Sequence, residues 1–218
     1  MYIGSSCLTK LNTSYAYNRF IKRVLDVIFS VIGLILSIPL FIIVVGAIKL
    51  DSKGPALYVQ DRVGKLGQIF RIYKFRTMCL ETEKVGRQLS NTDRITKVGK
   101  FLRKTSIDEL PQLINVLKSE MSFVGPRPLL VSFLPYYTQE EIKRHNVKPG
   151  ITGWAQVNGR NLLGWEDKFK YDLEYVKNTS FMFDFRILLL TIYKVIKRAD
   201  IIDNCVSLDV ERQVIKEQ

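Results

Sequence analysis

The chain has 218 residues, a length that fits one catalytic domain of ordinary size together with a membrane anchor. Lys and Arg number 33 against 21 Asp and Glu, and the resulting charge of +12 favours anionic partners: phosphate substrates, acidic lipid headgroups or nucleic acid. Three scattered cysteines (Cys7, Cys79 and Cys205) and a single histidine, His145, argue against a disulfide framework or a metal site built on cysteine or histidine, and a Ser-His-Asp triad would have to use His145.

The first predicted element is an apolar membrane segment. The run Val27–Ile48 holds no charged residue and reaches the ~20 residues that cross a bilayer core. It is longer than the apolar part of a signal peptide, so we expect the chain to keep it as an anchor. Pro39 should kink or break the helix, because proline removes a backbone donor and clashes with the preceding turn.

Basic residues flank this segment on both sides, and cytoplasmic flanks are the ones that collect Lys and Arg. Two basic flanks favour a re-entrant helix that bends at Pro39 and returns to the same membrane face, with Ser37 available to satisfy a freed backbone group. A kinked helix that spans the bilayer is the alternative, and the residues alone leave both open. The flanking cations are Arg19, Lys22 and Arg23 before the run, and Lys49, Lys53, Arg62 and Lys65 after it.

The next elements predict a small soluble domain. Residues 56–60 and 68–75 alternate like two strands of a β-hairpin, with Gly64 and Gly67 in the turn. A polar loop and a short helix over 95–103 follow. Ser106 and Glu109 have the spacing of a capping box, which predicts a helix that starts there and ends near residue 118. The predicted fold class is therefore α+β and predominantly helical.

Further along the chain, prolines on both sides of Arg127 predict a rigid turn that presents this side chain with little freedom. Short helices are predicted over 139–146 and 165–176. The apolar stretch Phe181–Ile196 carries Asp184, Arg186 and Lys194, so it is too polar to cross a membrane. It either lies in the membrane interface as an amphipathic helix or packs onto the domain, and the residues leave both possibilities open.

Asp108 and Glu109 are the candidate catalytic residues. Neighbouring helix residues point about 100° apart, so one carboxylate would attack or carry a proton while the other binds a cation. A plain alternative is that Glu109 only caps the helix and Asp108 only interacts with its dipole. Cations in turn-rich segments favour a catalytic role for the two carboxylates over helix capping. They are Lys74, Arg76, Arg103, Arg127 and Arg160.

Such a set of cations and carboxylates suits a diphosphate substrate bound with Mg²⁺. Arginine forks bind phosphate oxygens in pairs, and Mg²⁺ usually takes one or two carboxylates plus phosphate oxygens. A carboxylate nucleophile would split a phosphoryl transfer into two steps through an acyl phosphate. The sequence has no Walker loop, no GxGxxG and no HExxH.

Several longer motifs occur in one order over roughly residues 20–198. They are Lys22-Arg23 with Asp26, the segment IYKFRTM from Ile72, SIDEL from Ser106, MSFVGPRPLL from Met121 and KPGITGWAQVNGRN from Lys148. Together they resemble the small monotopic phosphoglycosyltransferases of bacteria, which start lipid-linked glycan assembly. The nearest resemblance is to the bacillosamine-type enzyme of bacterial N-linked glycosylation.

This resemblance implies transfer of a phosphosugar from a UDP-sugar to undecaprenyl phosphate with release of UMP. It favours an N-acetylated donor and leaves galactose and glucose donors open. It implies Asp108 as the nucleophile and Glu109 as a ligand of the cofactor Mg²⁺. Phosphate and nucleotide contacts would fall on Lys74, Arg103, Arg127 and Arg160.

The resemblance also implies a re-entrant helix broken at a Ser-Pro pair, with interfacial amphipathic helices beside it. Here Ile38 precedes Pro39, so the serine, Ser37, lies one place earlier. The enzyme would sit on the cytoplasmic side of the bacterial inner membrane, in contact with membrane lipids. The expected division is an N-terminal cytoplasmic segment (1–23), a membrane helix (24–50), a catalytic domain (51–200) and a tail (201–218).

Two other functions compete with this interpretation. A membrane-tethered scaffold or nucleic-acid-binding protein would explain the charge, but it would place basic residues on one helix face with stacking aromatics and would need no paired acids, so no nucleic acid partner is expected. A glycosyltransferase that releases UDP is the other. The sequence does not indicate the oligomeric state.

Overall fold

The structure is a computed structural model that describes residues 17–84, 87–90, 92–159, 162–197 and 208–216. The α-helices are α1 (Lys22–Asp51), α2 (Lys97–Thr105), α3 (Leu113–Leu117), α4 (Trp154–Val157), α5 (Trp165–Asn178), α6 (Phe181–Lys197) and α7 (Leu208–Lys216). The strands are β1 (Leu57–Val63), β2 (Ile69–Phe75), β3 (Glu83–Lys84), β4 (Arg87–Gln88), β5 (Ser122–Val124) and β6 (Gly150–Thr152). The predicted α+β class, predominantly helical, is confirmed.

The predicted hairpin is formed by β1 and β2, which pair antiparallel from Leu57 opposite Phe75 to Val63 opposite Ile69. Its turn uses left-handed backbone at Leu66 (φ 55°) and Gly67 (φ 77°). On the inner face of β2, Phe70 and Ile72 pack against Val116 and Met121. The hairpin therefore fixes β2, and with it Lys74, against the centre of the domain.

A short parallel pair, β5 with β6, brings two glycine-rich turns together. The amide of Gly125 donates to the carbonyl of Thr152 at 2.9 Å, and the amide of Gly150 donates to the carbonyl of Pro126 at 3.0 Å. A Cβ atom on Gly150 would lie only 2.1 Å from the Gly125 nitrogen, so a side chain here would push the two backbones apart. This contact anchors the base of the turn that carries Arg127.

Helix α1 is the membrane element. It has 30 residues and is long and apolar enough to cross a membrane. The helix assignment continues through Pro39, so the structure shows no break there, and a bend at Pro39 stays a prediction. Proline removes one amide donor, and the hydrogen bonds on either side still hold the helix together. The Ser37 hydroxyl forms no hydrogen bond with the described residues, so its role at the proline stays a prediction.

The first turns of α1 contact the soluble domain through polar groups. Lys22 Nζ donates to the carbonyl of Val124 at 2.8 Å and to Asp184 Oδ2 at 2.6 Å. Asp26 Oδ1 accepts from the hydroxyl of Ser122 and from the amide of Phe123, both at 3.1 Å. The beginning of the helix is thereby fixed to β5 and α6.

The last turns of α1 contact the same domain through apolar groups. Val44 and Ile48 form a buried cluster with Phe75 and Leu102. The ring of Phe41 packs edge-on against that of Phe75, with 5.1 Å between centroids. A 30-residue helix is about 45 Å long, so a helix that stood perpendicular to the domain surface would contact it at one end only. Here both ends belong to the domain core.

Helix α6 both packs onto the domain and exposes an apolar face. Ile187 is fully buried in a cluster with Trp154 and Tyr175. The opposite side presents large apolar residues to the surroundings, and so extensive a patch is unusual on a soluble monomer. They are Phe181, Met182, Phe185, Leu189, Ile192, Tyr193 and Ile196. This arrangement supports the interfacial amphipathic helix that the sequence left open.

Helix α7 lies within the segment predicted as a tail, yet it packs against the domain. Leu208 is fully buried in a cluster with Phe133, Trp165 and Phe169. The guanidinium of Arg212 contacts a carboxylate on the short helix Glu141–Asn146. The C-terminal helix therefore contributes to the same folded unit.

Candidate active site

Asp108 and Glu109 lie on a 3₁₀-helix, Ile107–Gln112, directly after α2. The predicted capping box is wrong: Ser106 has left-handed backbone (φ 55°, ψ 17°) and its side chain caps nothing. This conformation ends α2, because the Ser106 amide bonds back to the carbonyls of that helix. Glu109 does not reach back to Ser106, since two cations hold its carboxylate elsewhere.

Glu109 is enclosed by those two cations. Its Oε1 accepts a hydrogen bond from Lys74 Nζ at 2.7 Å and another from Arg127 Nη2 at 2.8 Å, and its side chain is 11% exposed. Burial alone would raise the pKa of Glu109, but Arg127 and Lys74 outweigh it and hold the pKa well below its usual range. Glu109 is therefore ionised and paired with both cations.

Asp108 has the opposite environment. Burial, assisted by the charge of Glu109, raises the pKa of Asp108 to about 6, although Lys74, Arg127 and Arg103 oppose the shift. No described residue hydrogen-bonds its carboxylate. Two adjacent carboxylates whose pKa values move apart are a common sign of different catalytic roles. Asp108 is thus the reactive candidate, and Glu109 the organising one.

The turn that carries Arg127 is held almost entirely by its carbonyl groups, because Pro126 and Pro128 have no amide hydrogen to donate. The carbonyl of Pro126 is bonded by Gly150, that of Arg127 by Arg144 at 2.8 Å, and that of Pro128 by Arg62 at 3.4 Å. The side chain of Arg127 is 37% exposed, so it has room to contact a ligand as well as Glu109.

Arg144 is held in turn by a buried ion pair. Asp172 on α5 accepts from Arg144 Nη2 at 2.6 Å and from Nε at 3.0 Å, and the two side chains are 2% and 5% exposed. The same Nη2 bonds the carbonyl of Arg127. The pair therefore connects α5 to the Arg127 turn. Sequence reasoning missed it, since no local pattern relates residues 28 positions apart.

Of the other predicted cations, Arg103 lies near the site and Arg76 does not serve it. Arg103 Nε donates to the Thr77 hydroxyl at 3.0 Å, and its charge acts on Asp108. Arg76 is buried and donates to the carbonyls of Ser52 and Lys53, so it fixes the turn after α1. Arg160 lies outside the described residues.

A small cleft, partly open to solvent, adjoins the Glu109 cage, which is formed by Glu109, Lys74 and Arg127. Lys74 and Arg127 are shared between the cage and the cleft. The lining residues are Arg62, Ile72, Lys74, Gln112, Arg127 and Pro128. Sequence reasoning treats Arg62 only as a flanking charge and misses Gln112, because no local pattern marks either residue as a cleft residue. Together the Glu109 cage and the cleft present cations and two adjacent carboxylates, a combination that suits an anionic ligand.

Comparison with known proteins identifies the family. The bacterial sugar transferase family matches residues 17–198. EpsL of Bacillus subtilis (strain 168), described as an uncharacterized sugar transferase, is 47% identical over 176 residues, which cover 81% of this chain and 87% of EpsL. The chain belongs to the bacterial sugar transferase family and is an enzyme.

Two longer relatives carry more specific names. The UDP-glucose:undecaprenyl-phosphate glucose-1-phosphate transferase of Escherichia coli (strain K12) is 44% identical over 187 residues, or 81% of this chain and 40% of the relative. The UDP-N-acetylgalactosamine-undecaprenyl-phosphate N-acetylgalactosaminephosphotransferase of Aeromonas hydrophila is 44% identical over 181 residues, or 79% of this chain and 43% of the relative. The chain spans about two fifths of the length of these two. Neither name is that of a bacillosamine-type enzyme, so that finer resemblance stays a prediction.

Proposed function

We propose that this enzyme transfers a sugar phosphate from a UDP-sugar to undecaprenyl phosphate, with release of UMP, through a covalent intermediate on Asp108. The observation that carries the proposal is the pair of adjacent carboxylates in opposite states: Glu109 bound by two cations, and Asp108 without a hydrogen-bond partner among the described residues. The names of the relatives from Escherichia coli and Aeromonas hydrophila support the same substrates.

In the first step, the Asp108 carboxylate attacks the phosphorus that bears the sugar. An oxygen–phosphorus bond forms to Asp108, and the bond from that phosphorus to the UMP oxygen breaks. In the second step, an oxygen of undecaprenyl phosphate attacks the same phosphorus and releases the carboxylate. A pKa of about 6 leaves Asp108 ionised at neutral pH yet poorly stabilised, which favours nucleophilic attack. Lys74 and Arg127 would balance the charge that develops on the phosphoryl oxygens.

We propose Mg²⁺ as the cofactor, with a phosphate substrate completing its coordination. Among the described residues, no group of three or more His, Cys, Asp or Glu side chains converges on one point. Mg²⁺ commonly needs only one or two carboxylates plus phosphate oxygens. Lys74 and Arg127 both bond Oε1 of Glu109, and no described residue bonds Oε2, so Glu109 would hold the ion through that oxygen. The ion would neutralise phosphate charge, and we expect excess chelator to silence the enzyme.

We also propose that α1 is re-entrant and that the domain lies on the cytoplasmic side of the inner membrane. Contacts of both ends of α1 with one domain support this path, as do the two basic flanks. The apolar face of α6 would lie at the same membrane surface. Labelling of a cysteine introduced before α1 should report the cytoplasmic side; periplasmic labelling would contradict the re-entrant path.

The test is a UMP-release assay with purified full-length enzyme, undecaprenyl phosphate and a panel of UDP-sugars. We expect UMP as the nucleotide product and, from the resemblance, preference for an N-acetylated donor. Asp108→Asn should abolish release and also abolish labelling of the protein by a donor that carries a radioactive sugar. Asp61→Asn is the matched control, because Asp61 is 65% exposed and its nearest cation, Arg71, is 3.9 Å away. Near-normal turnover by Asp108→Asn would refute the assignment of Asp108 as the nucleophile.

The same assay separates the competing functions. A glycosyltransferase of the other type would release UDP and leave no phosphate on the acceptor. A scaffold protein would release neither nucleotide under any donor.

A further inference from the structure

The cleft beside the Glu109 cage is lined mainly by side chains that donate hydrogen bonds. Four of its six lining side chains, Arg62, Lys74, Gln112 and Arg127, carry donor groups. The other two, Ile72 and Pro128, offer apolar surface. No acidic side chain is among these lining residues. A cleft of this composition suits a ligand that only accepts hydrogen bonds and carries negative charge.

Two nitrogen atoms of these side chains have no hydrogen-bond partner within the described part of the chain. Gln112 is 2% exposed, and its Nε2 has no hydrogen-bond partner there; the same holds for Nε of Arg62. Buried donors are nearly always paired, because an unpaired one loses its hydration without compensation. Both unpaired nitrogens belong to side chains that line one cleft, and this points to a ligand in the cleft as the missing partner.

The charges in the cleft are also incompletely balanced. Glu109 bonds Lys74 and Arg127 but does not bond Arg62. Burial, together with the neighbouring charge of Arg127, lowers the pKa of Arg62 to about 10. An anion in the cleft would relieve the repulsion between these two guanidinium groups.

We propose that Arg62 and Gln112, together with Lys74 and Arg127, form a phosphate-binding subsite. The ligand class is a phosphate ester, either of the nucleotide substrate or of the polyprenyl substrate. A phosphate offers three or more acceptor oxygens in a compact volume, whereas a sugar hydroxyl would bring donors of its own. The subsite deepens the proposed function and rests on it for the identity of the substrates.

The placement of the two new residues couples the subsite to the reacting groups. Gln112 ends the same short helix that carries Asp108. Arg62 bonds the carbonyl of Pro128, the residue next to Arg127. A phosphate held by both residues would therefore be fixed relative to Asp108 and Arg127 at once.

The primary test replaces Gln112 by methionine, which has a similar length and no donor. Removal of an unpaired buried donor should leave the melting temperature unchanged or raise it. The dissociation constants of UMP and of a short-chain polyprenyl phosphate are then measured separately in detergent, on the Asp108→Asn background to prevent turnover. We expect roughly a tenfold weakening for at least one of them, because a hydrogen bond to a charged group is lost. Gln112→Glu should weaken the same ligand further, since it places a negative charge beside the phosphate.

Gln68→Met is the matched control, because Gln68 is exposed in the hairpin turn; both dissociation constants should stay as in the parent. Weakening for UMP alone assigns the subsite to the nucleotide phosphate, and weakening for the polyprenyl phosphate alone assigns it to the lipid phosphate. Gln112→Met and Gln112→Glu proteins that melt normally and bind both ligands with unchanged constants would overturn the subsite.

The two proposals fail in different ways. If Asp108→Asn keeps its turnover while the Gln112 variants bind a phosphate ester weakly, Asp108 is not the nucleophile and the proposed phosphate-binding subsite is supported. If Asp108→Asn is inactive and the Gln112 variants bind normally, the subsite is wrong and the proposed reaction stands.

Discussion

Replacement of Asp108 by asparagine is expected to stabilise the folded enzyme while it abolishes turnover. The carboxyl group has a pKa of about 6 in the folded protein against an ordinary value of 3.8, mainly because it is buried. The folded state therefore holds the proton more tightly than the unfolded state does. Stability is lost as the pH rises from about 4 to about 6, and the loss is complete above that range.

The magnitude follows from the difference of roughly two pKa units. At about 1.4 kcal/mol per unit, ionisation of Asp108 costs up to ~3 kcal/mol at neutral pH. For a chain of this size, that cost corresponds to a melting temperature roughly 6–12 °C lower than it would otherwise be. The asparagine side chain has the same shape and does not ionise, so it should recover most of this difference at pH 7 and almost none at pH 3.5.

The assay is thermal unfolding of the wild-type protein and of Asp108→Asn in the same detergent, at several pH values between 3.5 and 7.5. The expected signature is a gain in melting temperature that grows with pH and levels off above about pH 6. Asp61→Asn, at an exposed position, should show no such trend. A variant that melts below the wild type at pH 7, or a gain that is the same at all pH values, would refute the electrostatic account of Asp108.

Two further predictions concern the pH dependence of turnover and the ion pair that positions the Arg127 turn. Because attack needs the ionised carboxylate, kcat/KM should fall about tenfold per pH unit below pH 6 and level off above it; a pH-independent rate between 5 and 7 would rule out Asp108 as the titrating nucleophile. Arg144→Met should destabilise the protein by about 3–5 kcal/mol, because it leaves Asp172 buried without its partner. The double variant Arg144→Met/Asp172→Leu should regain stability in a denaturation experiment yet keep a lowered kcat, since the carbonyl of Arg127 has lost its donor; full recovery of kcat would show that the pair does not position Arg127.

Elements with a local signature could be predicted from the sequence. The alternation over 56–75 predicts the hairpin, and the uncharged run Val27–Ile48 predicts the long membrane helix, because both signals depend only on neighbouring residues. The motifs around Asp108, Lys74 and Arg127 predicted a site, and the structure brings these residues together.

Features that depend on competition between local and distant contacts were not predictable. Ser106 and Glu109 satisfy the spacing of a capping box, but bonds from two distant cations to Glu109 are stronger than one bond to a backbone amide. Arg76 resembles a phosphate ligand in sequence, yet a guanidinium serves carbonyl groups equally well, and here it bonds those of Ser52 and Lys53. The role of Arg144 depends on Asp172, a partner far away in the chain.

The contacts at the end of α1 have a consequence for how this protein can be divided. Val44 and Ile48 supply part of the apolar core around Phe75 and Leu102. Removal of residues 1–51 would therefore expose that core to water and should give insoluble protein. Anchor and catalyst are therefore not interchangeable modules, and a fusion that replaces α1 by an unrelated membrane helix should fail to fold. The family match, which begins at residue 17, already includes this helix. In longer relatives, the smallest segment that folds when expressed alone should likewise be the domain together with its membrane helix.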